Sequence, residues 1–347
     1  MKSGNATFAD AGNSTTPGIV CGIVAGKIVP QPPSRLLTPD QMSLFAKTEG
    51  TPITLNGKPF YFGGSNIYRL FYVPQSDLPT YFQDAVRVRS SVIRTWCFCD
   101  GIGCTQNVHF TDSQNGELVF NDDTNTGLGR MDAVIHQAQL AGVKLILTLT
   151  NNWSDFGGID FYVAKFSNSV FKFHSDFYTQ ENIKSQFKRW INHVLTRNYT
   201  ITGIAYKDDP TILAWELGNE FRCTGSGLSL PDQWNSSNEP DLLTNTLRWI
   251  NDHYTVSQKV NKPIYVGEYG IVKGNQRLAD FPQIQSLIQQ LGMSGSLMWL
   301  LQSVEDGHQC QETADSTGKT YGLCANDPDA YTILINHGIN MLYKSNQ

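Results

Sequence analysis

The sequence predicts an α/β protein assembled from parallel βα units, and two patterns carry that prediction. Six short runs rich in β-branched and aromatic residues are apolar almost end to end, as strands buried on both faces are. Longer stretches with helical spacing separate them. The runs are 59–68, 91–98, 143–150, 212–220, 263–270 and 295–302. Helical patterns fall at 80–89, 129–141, 180–196, 241–259, 281–291 and 329–343.

Taken in order, the first run contains Gly63-Gly64. No GxGxxG or P-loop pattern surrounds this pair, so it reads as a turn or bulge beside the first strand. The second run, Val92-Ile-Arg94-Thr-Trp96, places an arginine and a tryptophan near its end. The third leads into Asn151-Asn152-Trp153, and the fourth closes on Asn219-Glu220. The fifth carries Glu268 and the sixth reaches Trp299. The polar and reactive residues thus gather at the C-terminal ends of the runs, where parallel α/β folds build their sites.

Composition narrows the function. Of 347 residues, 40% are hydrophobic and 16% charged, enough apolar material for a large core. The formal net charge is -5 and no basic stripe occurs, so neither nucleic acid nor an anionic membrane is expected as a partner. The 11% of aromatic residues suits stacking on flat rings or sugar faces, although a large core also consumes them. No apolar run approaches the ~20 residues of a membrane span, and no clear signal peptide is read in this chain. Residues 1–40 are rich in Gly, Ser, Thr and Pro and read as a poorly ordered leader; residues 41–347 read as one domain. Seven cysteines are too few for a disulfide scaffold. Cys97, Cys99 and Cys104 lack the second Cys/His pair of a usual zinc site, so no metal is expected. GxSxG and HExxH motifs do not occur.

Two segments carry the chemistry: Ile212-Leu-Ala-Trp215-Glu216-Leu-Gly-Asn219-Glu220 and Pro263-Ile-Tyr-Val-Gly267-Glu268-Tyr269-Gly270. Each ends an apolar strand with a carboxylate, which is costly to bury without partners or work to do. Two carboxylates on different strands facing one cleft are what glycoside hydrolysis requires, one protonated as acid and one ionised as nucleophile. Glu216 lies deeper and reads as a buried ion pair with Arg94 or Arg222; Glu220 and Glu268 read as the reacting pair.

These residues resemble glycoside hydrolase family 5, and more finely its endo-β-1,4-mannanases of fungi and plants. Val92-Ile-Arg94-Thr-Trp96 resembles the family's second strand. Thr150-Asn-Asn152-Trp153-Ser-Asp-Phe156-Gly-Gly158, with Tyr162, resembles its third-strand loop. His174-Ser-Asp-Phe-Tyr178-Thr and Tyr206-Lys-Asp-Asp-Pro210 resemble the segments leading to the acid. Met298-Trp299 and Asp306-Gly307 resemble the eighth strand and its loop. The resemblance covers residues 51–342. It implies a (β/α)8 barrel of the TIM type and a retaining mechanism, with Glu220 as acid/base and Glu268 as nucleophile. Arg94 would hold Glu268 ionised, Asn219 would bond the sugar 2-hydroxyl, and Trp299 would floor the cleaved sugar. Trp96, Asn152 and Trp153 would complete the substrate-binding set, with core packing an equal reading for Trp96.

The strand count departs from a full barrel. Glu220 and Glu268 would end the family's fourth and seventh strands, yet only 48 residues separate them. Three βα steps of a ~250-residue barrel take about 90 residues. The interval holds a polar loop, 223–240, and one helix. The fifth and sixth βα units are therefore expected to be absent, leaving two strand edges unpaired. With them goes the family's sixth-strand His-x-Tyr, for which mid-helix His253-Tyr254 is no substitute.

The function expected is a secreted, monomeric endo-β-1,4-mannanase acting on mannan, glucomannan or galactomannan without cofactor. A β-1,4-glucanase of the same family and a catalytically impaired mannan-binding relative are the alternatives. Cys310 with Cys324 is the favoured disulfide.

Overall fold

The computed structural model describes residues 44–101, 108–221, 242–303, 310 and 319–347, with the backbone of 20–24. Arg222, the loop 223–240 and Asp306-Gly307 lie outside the described residues. The main sheet has seven strands: β1 (Val20–Val24), β2 (Phe62–Asn66), β3 (Val92–Trp96), β4 (Lys144–Thr148), β5 (Ile212–Glu216), β6 (Tyr265–Gly270) and β7 (Gly295–Met298). Their order in space is β1-β6-β7-β2-β3-β4-β5. Every pairing is parallel except that of β1 with β6. The parallel strands are the six apolar runs of the sequence, and together they make an incomplete (β/α)8 barrel.

Helices cover the outer face: α1 (Leu78–Arg87), α2 (Arg130–Ala141), α3 (Gly158–Phe166), α4 (Glu181–Thr196), α5 (Leu242–Lys259), α6 (Asn275–Leu291) and α7 (Asn336–Ser345). Left-handed Gly142 and Gly292 close α2 and α6. α6 begins at Asn275, ahead of the expected Phe281, because it runs through Pro282 despite the hydrogen bond a proline removes. α3 was not expected: Ile159, Phe161, Tyr162, Val163 and Phe166 are all buried, and Asp160 and Lys165 alone are charged, a polar face too narrow to mark a helical period in so short a segment. Two hairpins turn on Asn56-Gly57 and Asn115-Gly116, whose four φ angles are all positive, as a primed two-residue turn demands.

Gly63 and Gly64 correct the sequence reading. They lie inside β2, not in a turn beside it. A Cβ on Gly64 would stand 2.3 Å from the Val92 carbonyl oxygen and 2.6 Å from Leu297 Cδ2. Glycine is needed there for the close approach of β2 to its neighbours.

A small cluster of Phe62, Val92, Ile146, Leu213, Ala214, Tyr265 and Leu297 draws on all six parallel strands and fills the concave face, with Ile53 below. The larger cluster lies between sheet and helices. Two irregularities in register decide which residues follow the concave layer upward. On β6, three residues from Val266 to Tyr269 span two on β7, Ser296 to Met298. Tyr265 belongs to the concave cluster, whereas Val266 and Tyr269 pack outward. The extra residue turns Glu268 inward, where strict alternation from Tyr265 would have turned it out. On β5, Ile212 pairs Leu145 while Ala214 pairs Ile146. Leu213 and Ala214 both face in, Trp215 faces out, and Glu216 returns to the interior.

Among the described residues, six parallel strands leave two edges to account for. Along β6 the edge is filled by β1, antiparallel, with Gly22 opposite Glu268. Part of the stretch read as a leader thus enters the sheet. Among the described residues, no strand pairs with the outer edge of β5. His253 and Tyr254 lie within α5, as expected.

Removing residues 1–25 strips the β1 ladder from the strand that carries Glu268. The shortened chain is expected to melt about 2–4 °C lower, equivalent to roughly 1 kcal/mol. An unchanged melting temperature by calorimetry would mean that β1 does not support β6.

Candidate active site

Arg94 is the hub of the concave face. It is 2% exposed, and its guanidinium donates to partners on three strands, β2, β5 and β6, and on the segment that follows β5. Nε donates to Glu216 Oε2 at 2.7 Å and Nη1 to Asn66 Oδ1 at 3.0 Å. Nη1 also forms an ion pair with Glu268 Oε1, and Nη2 donates to Asn219 Oδ1 at 2.9 Å. This bears out Glu216 as the ion-pair partner of Arg94. Thr148 Oγ1 adds a donor to Glu216 Oε2 at 2.5 Å. The paired carboxylates hold the Arg94 pKa above its ordinary value against its burial.

Glu268 is 3% exposed. Burial pushes its carboxyl up, to about 8; Arg94 opposes the rise, and Glu220 and Glu216 add to it. One cation thus faces three carboxyls, and the two neighbouring glutamates add to the effect of burial in favouring the protonated form of Glu268. Asn66 Nδ2 holds the bulge beside Glu268 by donating to the carbonyls of Gly267 at 3.0 Å and Leu297 at 3.2 Å.

Glu220 stands where β5 has ended. Its φ is 50°, a left-handed conformation that costs a non-glycine residue energy and so depends on its surroundings. The ladder between β4 and β5 continues past the strands and supplies that support. Asn219 N donates to Thr150 O, and Asn152 N to Asn219 O, each at 2.9 Å. Asn219 Nδ2 donates to Asn151 Oδ1 at 3.0 Å. Trp153 Nε1 donates to Glu220 Oε2 at 2.5 Å, the direct link between the third-strand loop and this glutamate.

The remaining predicted residues divide. Trp299 is half-buried and lies 5.6 Å from the Tyr68 ring at 12°, a stacked pair beside the cluster. Trp96 is 3% exposed, 6.3 Å from Trp299, with the Arg94 guanidinium 4.8 Å above its ring. Asn152 is fully buried; His174 Nε2 lies 3.1 Å and Tyr178 Oη 3.4 Å from its Oδ1. Asn66, Tyr68 and Thr148 were not singled out from sequence. A polar residue near the C-terminal end of the first apolar run was the available signal for Asn66. Among the described residues, no group of three or more His, Cys, Asp or Glu could hold a metal ion. Of the three cysteines weighed as a cluster, Cys99 is disulfide-bonded and Cys97 is buried and free, while Cys104 lies outside the described residues. Cys310 is bonded to Cys324, as expected.

This arrangement has relatives. A family model described as GH family 5 beta-mannosidase-like matches residues 108–245. The solved endo-1,4-beta-mannanase from Rhizomucor miehei superposes with a TM-score of 0.73 at 30% identity, covering 86% of this chain and 99% of that one. The chain belongs to glycoside hydrolase family 5. Mannan endo-1,4-beta-mannosidase 7 of Arabidopsis thaliana is 39% identical over 186 residues, 52% of this chain and 41% of that protein. Mannan endo-1,4-beta-mannosidase 4 of Solanum lycopersicum is 40% identical over 186 residues, 52% and 44% respectively. The chain spans about half the length of the curated relatives it matches.

Two outcomes follow from the cluster. Arg94→Ala leaves two buried carboxylates without their cation and is expected to cost about 3–5 kcal/mol in denaturant unfolding. A loss below about 1 kcal/mol would contradict the hub role. Glu268 has a folded pKa above its unfolded one, so the unfolded chain releases this proton first as pH rises. Wild-type stability is therefore lost from about pH 4.5 upward and levels off above about 8. Glu268→Gln removes that titration. Its melting temperature relative to wild type is expected to climb across this window and then flatten; a constant difference from acid to alkaline pH would contradict the burial effect.

Proposed function

We propose that the chain is an endo-acting, retaining β-1,4-mannanase, with Glu268 as nucleophile and Glu220 as acid/base. The observation that carries this reading is the difference between the two glutamates' surroundings. Glu268 is buried against Arg94, whereas Glu220 is half-buried and meets a neutral indole N–H. A guanidinium contact favours the ionised form a nucleophile needs, and lack of such a cation suits the partner that must carry a proton.

In the first step Glu268 attacks the anomeric carbon while Glu220 gives its proton to the leaving glycosidic oxygen. In the second, Glu220 takes a proton from water, whose oxygen displaces Glu268 from the sugar. Asn219 spends one amide hydrogen on Asn151 and keeps a second for a sugar hydroxyl. Trp299, backed by Tyr68, offers a ring face to the sugar. Both steps use carboxyl groups alone. Mannan as substrate rests on the names of the relatives. The disulfide Cys310–Cys324 supports export, because such bonds persist in oxidising compartments. Action as a monomer belongs to the same proposal.

A second reading, a mannan-binding relative without turnover, is favoured by one feature: among the described residues no strand lies between β5 and β6. Reducing-end release from β-mannan and from a β-1,4-glucan separates the readings. The expected result is release from mannan that Glu268→Ala abolishes and Glu220→Gln lowers by about 10²–10⁴-fold. Release from the glucan alone would make the chain a glucanase. Mannan binding without release, in a chain that melts cooperatively, would select the second reading.

A further inference from the structure

Residues 167–175 join α3 to the one-turn helix Asp176–Thr179 and present three large apolar side chains to water. Val170 is 92% exposed, Phe171 73% and Phe173 59%. Single exposed apolar residues are ordinary, but three within four positions call for a partner. The loop is not slack. Ser167 Oγ donates to Asp176 Oδ2 at 2.6 Å, and Phe173 N to the same oxygen at 3.3 Å. Asn168 N donates to Gln180 Oε1 at 3.0 Å, and Gln180 Nε2 donates to Ser169 Oγ at 2.8 Å and Ser167 Oγ at 3.1 Å. Lys172, between the two phenylalanines, turns its ammonium back onto the Ala164 carbonyl. Both rings are thus held outward on a fixed frame, and the cation between them is drawn away.

The same loop is continuous with the candidate site. His174, which follows Phe173, bridges Asp160 Oδ1 at 2.8 Å and Asn152 Oδ1 at 3.1 Å. Asn152 precedes Trp153, whose indole meets Glu220.

Resting on the function proposed above, we infer that Val170, Phe171 and Phe173 form an accessory docking surface for solid β-linked polysaccharide. Pyranose rings carry apolar faces that stack on aromatic rings. A patch that is apolar, on a hydrogen-bonded loop, and joined through His174 and Asn152 to the loop carrying Trp153 suits a neighbouring stretch of polymer. An anionic membrane suits it less, because Lys172 is tied back.

The test uses the full chain and the double variant Phe171→Ser/Phe173→Ser, whose positions are exposed enough to spare the core. Adsorption to insoluble mannan is measured by pull-down, and hydrolysis as the ratio of rates on insoluble mannan to soluble mannopentaose. Both the bound fraction and the ratio are expected to fall about fivefold, from roughly 1 kcal/mol of lost stacking. Adsorption equal to wild type would overturn the inference. So would substitutions that abolish binding to anionic vesicles and leave mannan adsorption intact. If wild type cleaves neither substrate, the hydrolase reading fails, yet adsorption and its loss in the variant still decide the docking surface.

Discussion

The concave face depends on one arginine. Arg94 is fully enclosed, and enclosing a guanidinium is affordable only if its donors find acceptors. Glu216, Glu268, Asn66 and Asn219 supply them, from four places on the curved sheet. The arginine therefore acts as a gauge on the curl. Its five donors fix the spacing of the strands that surround it, and Glu216, held also by Thr148, anchors it from the floor. Under the proposed chemistry the same contact serves a second end, since Glu268 must be ionised in a place where burial favours its neutral form.

Much of the fold was legible because its signals are one-dimensional. All six parallel strands lie where continuous apolar runs placed them, and helix α5 occupies the short interval that cannot hold two βα units. Arg94, Asn219, Glu220 and Glu268 come together as their positions at strand ends implied. What could not be read is what depends on pairing. β1 gains meaning only beside β6, and nothing in its short apolar run names that partner. Gly63 and Gly64 look like a turn until the Val92 carbonyl and the Leu297 side chain are seen to occupy the space a Cβ would need. Resemblance marks Trp96 and Asn152 as substrate-binding residues, and their near-complete burial is a property of three-dimensional surroundings alone.

The shortened barrel changes how the sheet must be protected. A complete barrel has no edges, whereas six parallel strands leave two. Here one edge is closed by an antiparallel strand from far earlier in the chain, so the N-terminal stretch contributes to the strand bearing Glu268. Such a closure needs no βα unit, because an antiparallel partner brings its own donors and acceptors without a crossover helix. The supporting loops take up more of the task elsewhere. The rungs beyond β4 and β5, from Thr150 to Asn219 and from Asn219 to Asn152, hold Glu220 in its left-handed turn where further strands would otherwise brace it.

The extra residue on β6 places the site under a rule of counting. Residues below it obey one inside-outside phase, and Glu268 obeys the other. A substitution anywhere along the strand alters one side chain and preserves that phase. A single-codon deletion between Tyr265 and Glu268 would keep the strand as apolar and as long-paired as before, yet rotate the glutamate toward the helices. Mutational tolerance here is thus asymmetric: the strand can absorb changes in letters far more readily than a change in their number.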